Sequence, residues 1–310
     1  MWLLLAFVSA ALLGLYDTSK KAALKDNAVL PVLLLNTLFS TIIFSPFLIE
    51  NMTGGNWFDG TVFNTSPYPG STPDGIAHPL LRAHLAVMLK AVIVLSSWIA
   101  GYFGLKHLPI TIVGPINATR PVMVLVGAML IFGERLNLYQ WAGVLLTIVS
   151  IFLMSRSSKK ENIDFRRNKW IWFVAAAAVT GAISGLYDKY VMRMLCPIFT
   201  QSWFNFYQML IMTVICAIFW YPTRRKTTPF RWNWAIPLIS IFICIGDFAY
   251  LTSLNDSSSM ISVVSLVRRS SVIISFALGV LIFKERNLRA KIVDLGLILI
   301  GMILIWIGTN

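Results

Sequence analysis

The chain has 310 residues, of which 57% are hydrophobic and only 13% charged, with mean hydropathy +0.74 and a formal net charge of +13. A soluble domain is about half apolar and about a quarter charged. The composition therefore excludes an ordinary soluble enzyme or binding module and points to an integral membrane protein.

A spanning helix needs about 20 largely apolar residues to cross about 30 Å of hydrocarbon. Ten such stretches follow along the chain, roughly 1–24, 29–49, 80–105, 109–133, 138–155, 169–192, 198–220, 233–254, 259–283 and 288–308. Their length favours helices over barrel strands, which alternate and are about ten residues long. The first begins MWLLLAFVSA with no basic residue ahead of it. A cleaved signal peptide needs a charged start and a small-residue cut site, so this segment is expected to stay as a helix. Residues 50–79 are rich in Gly, Pro, Ser, Thr and Asn and read as a long loop.

Two phrases recur. GLYD stands at 14–17 and at 185–188, and LIFGERLN at 130–137 is echoed by LIFKERNL at 281–288. GLYD to the Glu of the ER turn is 117 residues in the first half (17 to 134) and 97 in the second (188 to 285); the 50–79 insert explains the difference of 20. Each half then carries five spans, an odd number, so the second half enters the bilayer in the opposite sense. The expected fold is all-α: ten transmembrane helices as two inverted five-helix repeats, 1–155 and 169–310, joined by a basic linker at 156–168. That arrangement marks many secondary transporters, whose site lies where the repeats meet.

Loops after odd-numbered spans carry 18 Lys and Arg residues and loops after even-numbered spans carry 4. The positive-inside rule then places both termini and the 50–79 loop outside the cytoplasm, in a multi-pass protein of the cell (inner) membrane. The positive charge suits an anionic leaflet. Spread over short loops, it gives no footprint for nucleic acid. Cys196, Cys216 and Cys244 form no disulfide framework, and His78, His84 and His107 have no metal spacing, so no metal and no cofactor is expected.

Four basic residues lie inside the predicted spans: Lys90, Arg120, Arg268 and Arg269. Each costs about 2.5–3.5 kcal/mol at a helix centre on insertion scales, so such residues usually face a watery cavity or a partner. Arg120 has Asn117 three residues before it, between Pro115 and Pro121. Guanidinium forks match carboxylate and phosphate. Polar stripes accompany them: Gln201, Asn205 and Gln208 on the seventh span, Asn36 and Ser40 on the second, Lys90, Ser97, Gly101 and Gly104 on the third, and Ser240, Cys244 and Asp247 on the eighth. These stripes either line a polar lumen or bond helices together. Asp17, with Lys20 and Lys21 nearby, and Asp188, with Lys189 and Arg193 nearby, are either locally neutralised or serve with Asp247 as gate or coupling groups.

GERLNLYQWAGVLLTIVSIFLM (133–154) resembles the end of an EamA-type repeat of the drug/metabolite transporter superfamily, where a Gly-Glu-Arg turn leads into a Gln-Trp-x-Gly helix. GLYDTSKK is similar to that family's first helix, with Gly14 followed by Lys21. The second copy is weaker, since Lys284 replaces the Gly of the turn and no Gln-Trp follows. The resemblance implies a ten-helix carrier, and it identifies fold rather than cargo. It also implies a cytoplasmic start for many members, against the charge count, which is retained here. Phosphate-carrying translocators of the superfamily place basic residues on the fourth and ninth helices, and Arg120, Arg268 and Arg269 look like their counterparts.

The expected function is secondary transport of a small polar, anionic metabolite by alternating access, with the substrate and the lipid bilayer as partners and no mark of oligomeric state. Substrate contacts are expected from Arg120, Arg268, Arg269, Lys90, Asn117, Asn36, Gln201, Asn205 and Gln208. The alternative is a proton-coupled exporter of amino acids or drugs. An intramembrane aspartyl protease is remote, since Cys244 stands where the first Gly of its Gly-x-Gly-Asp motif belongs; a non-transporting receptor is the third class.

Overall fold

A computed structural model of the chain describes residues 1–24, 27–55, 57–58, 63, 65–68, 80–107, 116, 119–156, 169–224, 228–271, 274 and 288–309. Among these, regular structure is helical: α1 (Trp2–Leu24), α2 (Val29–Thr53), α3 (Leu80–His107), α4 (Arg120–Phe132), α5 (Leu138–Arg156), α6 (Lys169–Met192), α7 (Pro197–Ile215, ending in a π turn at Cys216–Trp220), α8 (Ala235–Asn255), α9 (Ile261–Arg269) and α10 (Leu288–Thr309). Six segments are long and apolar enough to cross a membrane: α1, α2, the Leu80–Gly101 part of α3, α6, α7 with its π turn, and α8. Shorter apolar helices run over Arg120–Phe132, Leu138–Ser150 and Leu299–Gly308. The remaining parts of the fourth and ninth predicted spans, Asn117 and the 157–168 linker residues lie outside the described residues.

The helices form two compact units. One contains Trp2–Val92 and Asp188–Ser257; the other contains Met1, Ile93–Tyr187 and Ser258–Asn310. Each draws helices from both halves of the sequence.

In the α1/α8 unit, α1 packs along α8 and α2 packs on α7 and α8. Tyr16, Ala23, Val32, Ile236, Ile239 and Ile243 form one apolar cluster of its core, and Phe44, Ile198 and Cys244 another. Gly246 lets α8 come close to α1: a Cβ there would lie 3.3 Å from the Leu12 Cβ. The Ser253 Oγ donates to the Trp2 carbonyl at 2.9 Å, so the two helices run antiparallel. Pro46 inside α2 cannot donate to the Ile42 carbonyl. The Ser45 hydroxyl donates to that carbonyl instead, at 2.8 Å, the repair expected where no water is at hand.

In the α5/α10 unit, small residues set the packing. A Cβ on Gly143 would overlap the Gly301 carbonyl, and one on Gly301 would overlap Thr147. Helix α5 starts on a capping box: the Gln140 amide donates to Asn137 Oδ1 at 2.9 Å, and the Asn137 amide to Gln140 Oε1 at 3.0 Å. Helix α3 meets α6 antiparallel in the same unit. Gly101 faces Ala177, Gly104 faces Val174, and the Ser97 hydroxyl donates to the Ala177 carbonyl at 2.9 Å. The Ser97/Gly101/Gly104 face of the third span therefore packs against a helix, which is the structural one of its two readings.

The ER turn is resolved into parts. Gly133, at φ 66°, occupies the left-handed region that ends α4, and its amide bonds the Ala128 carbonyl. The next residue, Glu134, reaches α9: its carboxylate accepts the Ile261 amide at 2.7 Å, the Ser262 amide at 3.2 Å and the Ser262 hydroxyl. Met260, the residue before α9, makes no side-chain cap bond of its own. A carboxylate 127 residues earlier in the chain supplies the cap.

Candidate functional site

Helix α7 places Gln201, Asn205 and Gln208 on one face by helical spacing, and all three are at least 96% buried. Thr200, beside them, is wholly buried. Gln201 Oε1, Asn205 Nδ2, Gln208 Nε2 and Thr200 Oγ1 make no hydrogen bond within the protein. Polar atoms buried without partners each cost about 1–3 kcal/mol. Four of the eight such atoms among the described residues cluster on this stretch of α7.

Lys90 of α3 and Asp188 of α6 form a buried ion pair in the same unit. The Lys90 ammonium lies 4.4 Å from the centre of the Phe204 ring on α7, between Gln201 and Gln208 in sequence. Asp188 thus takes a charge from a distant helix and not from Lys189. That lysine, 2% exposed, donates instead to the Leu254 carbonyl at 3.0 Å and the Asp256 carbonyl at 3.2 Å, capping the C-terminus of α8. It is buried within α6, where the sequence suggested a loop position. The two GLYD phrases also diverge: Asp17 is exposed on α1, whereas Asp188 is buried.

Asn36 is occupied. The Ser240 hydroxyl donates to its side-chain oxygen at 3.0 Å and to its carbonyl at 3.2 Å, joining α2 to α8. Asp247 lies half-buried one turn beyond Cys244 on α8.

The arginines belong to the α5/α10 unit. Arg120 donates from its guanidinium to the Gly181 carbonyl at 2.7 Å. The guanidinium covers Gly181 so closely that a Cβ there would overlap it. Arg268 and Arg269 occupy the last turn of α9, both half-buried. Helix α4 packs on α9, so one unit carries all three guanidinium groups.

Several residues escaped the sequence reading: Lys189 as a cap, Glu134 as a cap in trans, and Glu50, whose buried carboxylate accepts the Phe58 amide at 2.8 Å. The signal for Glu50 was available, since a lone acid at the end of an apolar helix is costly to bury unpaired.

Long apolar helices joined by small-residue contacts and buried polar groups define a polytopic membrane protein. The model of the EamA-like transporter family matches residues 1–156 and again 168–307. The chain belongs to that family and is a membrane transporter. It is 21% identical over 306 residues to an uncharacterized transporter of Archaeoglobus fulgidus (strain ATCC 49558 / DSM 4304 / JCM 9628 / NBRC 100126 / VC-16), covering 98% of this chain and 97% of that one. A solved crystal structure shares its fold with a TM-score of 0.70 at 15% identity, over 97% of this chain and 94% of the other.

Proposed function

We propose that this transporter moves a small polar, anionic metabolite by alternating access between inverted five-helix repeats, 1–155 and 169–310. The observation that carries the anionic reading is the packing of α4 on α9, which gathers Arg120, Arg268 and Arg269 in one unit. A guanidinium spread over half-buried helix surface is a ready partner for carboxylate or phosphate. The unpartnered amides of α7 supply further donors and acceptors for a polar solute.

Inversion draws support from packing register. GLYD recurs 171 residues on (17 to 188) and the ER glutamate 151 residues on (134 to 285). Those offsets carry the antiparallel α1/α8 pair onto α6 and α3. Helices α3 and α6 also pack antiparallel, with Gly101 facing Ala177 and Gly104 facing Val174. Both termini are assigned to the outer side of the cell membrane by the Lys and Arg distribution.

The test is a thermal-shift screen against inorganic phosphate, phosphorylated metabolites, carboxylates and cationic drugs, since a ligand bound to the folded state raises apparent stability. Hits are then followed as flux into reconstituted vesicles. Anions are expected to stabilise the protein, and Arg269→Gln to abolish both shift and flux while insertion stays normal. Stabilisation by cations alone, or unchanged flux in Arg269→Gln, overturns the reading. The buried Asp188 favours a second reading, proton-coupled export, which predicts flux driven by an imposed pH gradient and lost in Asp188→Asn.

A further inference from the structure

The 50–79 insert has no counterpart in the second half of the sequence, and its described residues fold back onto the α1/α8 unit. Phe58 lies against Phe47 of α2, ring centres 4.8 Å apart. Phe63 bridges the two sides: its ring is 5.9 Å from Phe47 and 6.1 Å from Phe248 of α8, stacked on both. Three hydrogen bonds fasten this stretch, and a fourth joins α2 to α7 beside it. The Phe58 amide donates to Glu50 at 2.8 Å, and Asn51 Nδ2 donates to the Thr65 carbonyl at 3.0 Å. The same Asn51 accepts the Trp203 indole at 3.0 Å, and the Cys196 amide donates to the Pro67 carbonyl at 3.0 Å. The insert is thereby tied to α2 and to the start of α7.

That end of the unit is where α2 finishes, α3 and α7 begin and α8 finishes. Measured along α7 from Pro197, Asn205 lies about 12 Å deep and Gln208 about 17 Å deep at 1.5 Å per residue. The aromatic bridge joins α2 and α8, both of which pack against α7, the helix that carries the unpartnered amide stripe.

The geometry points to a plug: Phe58 and Phe63 close the insert-side end of the α1/α8 unit over Gln201, Asn205 and Gln208, and must withdraw before a solute entering from that side reaches them. The plug's purpose rests on the transporter reading, but its test does not. Its attachment is mixed in a way that suits reversible closure. The ring contacts, one tilted and two stacked, are individually weak. The hydrogen bonds add little net stability, because water replaces them on opening.

The test uses the full chain with Cys196, Cys216 and Cys244 replaced, reconstituted in vesicles. A reporter cysteine is placed at Asn205→Cys or, separately, at Gln208→Cys. The probe is a membrane-impermeant cationic methanethiosulfonate, and the readout is its rate of modification. Open minor states are commonly populated at about 10% or less, so Phe58→Ala/Phe63→Ala is expected to raise the rate by about tenfold or more. Two reporters guard against one of them failing to fold, and a monodisperse elution profile qualifies each. A rate that changes less than about twofold at both reporters overturns the plug. Failure of the anion flux assay bears on cargo alone and leaves this comparison standing.

Discussion

Lys90 and Asp188 form an ion pair that joins α3 to α6 with both side chains withdrawn from solvent. Removing one member leaves the other charge buried alone, which costs about 3–5 kcal/mol, whereas replacing both with apolar residues of similar size is often neutral. Lys90→Met and Asp188→Leu are each expected to lower the thermal midpoint sharply. The double variant is expected to recover most of the loss. A double-mutant cycle by thermal unfolding in detergent measures this, and additive losses would show that the pair is not coupled.

The ER glutamate gives a second expectation. Glu134 satisfies two of the amides that α9 would otherwise leave open at its start. Loss of a helix cap costs about 0.5–2 kcal/mol. Glu134→Ala is expected to speed hydrogen exchange at Ile261 and Ser262 while leaving α10 unchanged. Glu134→Gln, which keeps one acceptor, is expected to fall between. Unaltered exchange at those two amides would remove the cap from the account.

The sequence made some of this legible and hid the rest for a physical reason. The amides of α7 were readable because helical spacing is local: residues 201, 205 and 208 must share a face once the segment is a helix. The Lys90–Asp188 pair was not readable, because the partners are 98 residues apart and nearer cations, Lys189 and Arg193, stood beside the aspartate. Only packing reveals that Lys189 turns to the carbonyl end of α8. Composition likewise marked 50–79 as a loop, but nothing in a run of Gly, Pro and Ser indicates which rings Phe58 and Phe63 will meet. The repeat itself was legible twice over, in its phrases and in the two matched segments.

Close helix contacts allow a controlled comparison among glycines. Gly143 and Gly301 face each other across α5/α10 with no room for a Cβ. Gly143→Ala is expected to cost about 1–3 kcal/mol by overpacking. Gly296, on the same α10, meets nothing within 4 Å. There alanine is expected to be neutral or to stabilise by up to about 1 kcal/mol through helix propensity. Equal effects at the two positions, read from thermal midpoints, would contradict the packing described for α5 and α10.

The unpartnered amides lead to an expectation that runs against the usual direction of mutation. Most core substitutions destabilise. Gln208, however, is 3% exposed and has a nitrogen with no hydrogen-bond partner, so it holds the folded state above the energy it would have with an apolar side chain of similar size. Gln208→Leu is expected to raise stability by about 1–3 kcal/mol, visible as a higher thermal midpoint. If the amide is there for a solute, the same variant loses flux, a trade of stability against function. Gln201→Leu and Asn205→Leu are expected to behave alike, and the three gains to be less than additive, since the residues are neighbours on one face. Destabilisation by Gln208→Leu would mean that water or protein groups already satisfy this amide, and the case for a solute-facing stripe on α7 would fail with it.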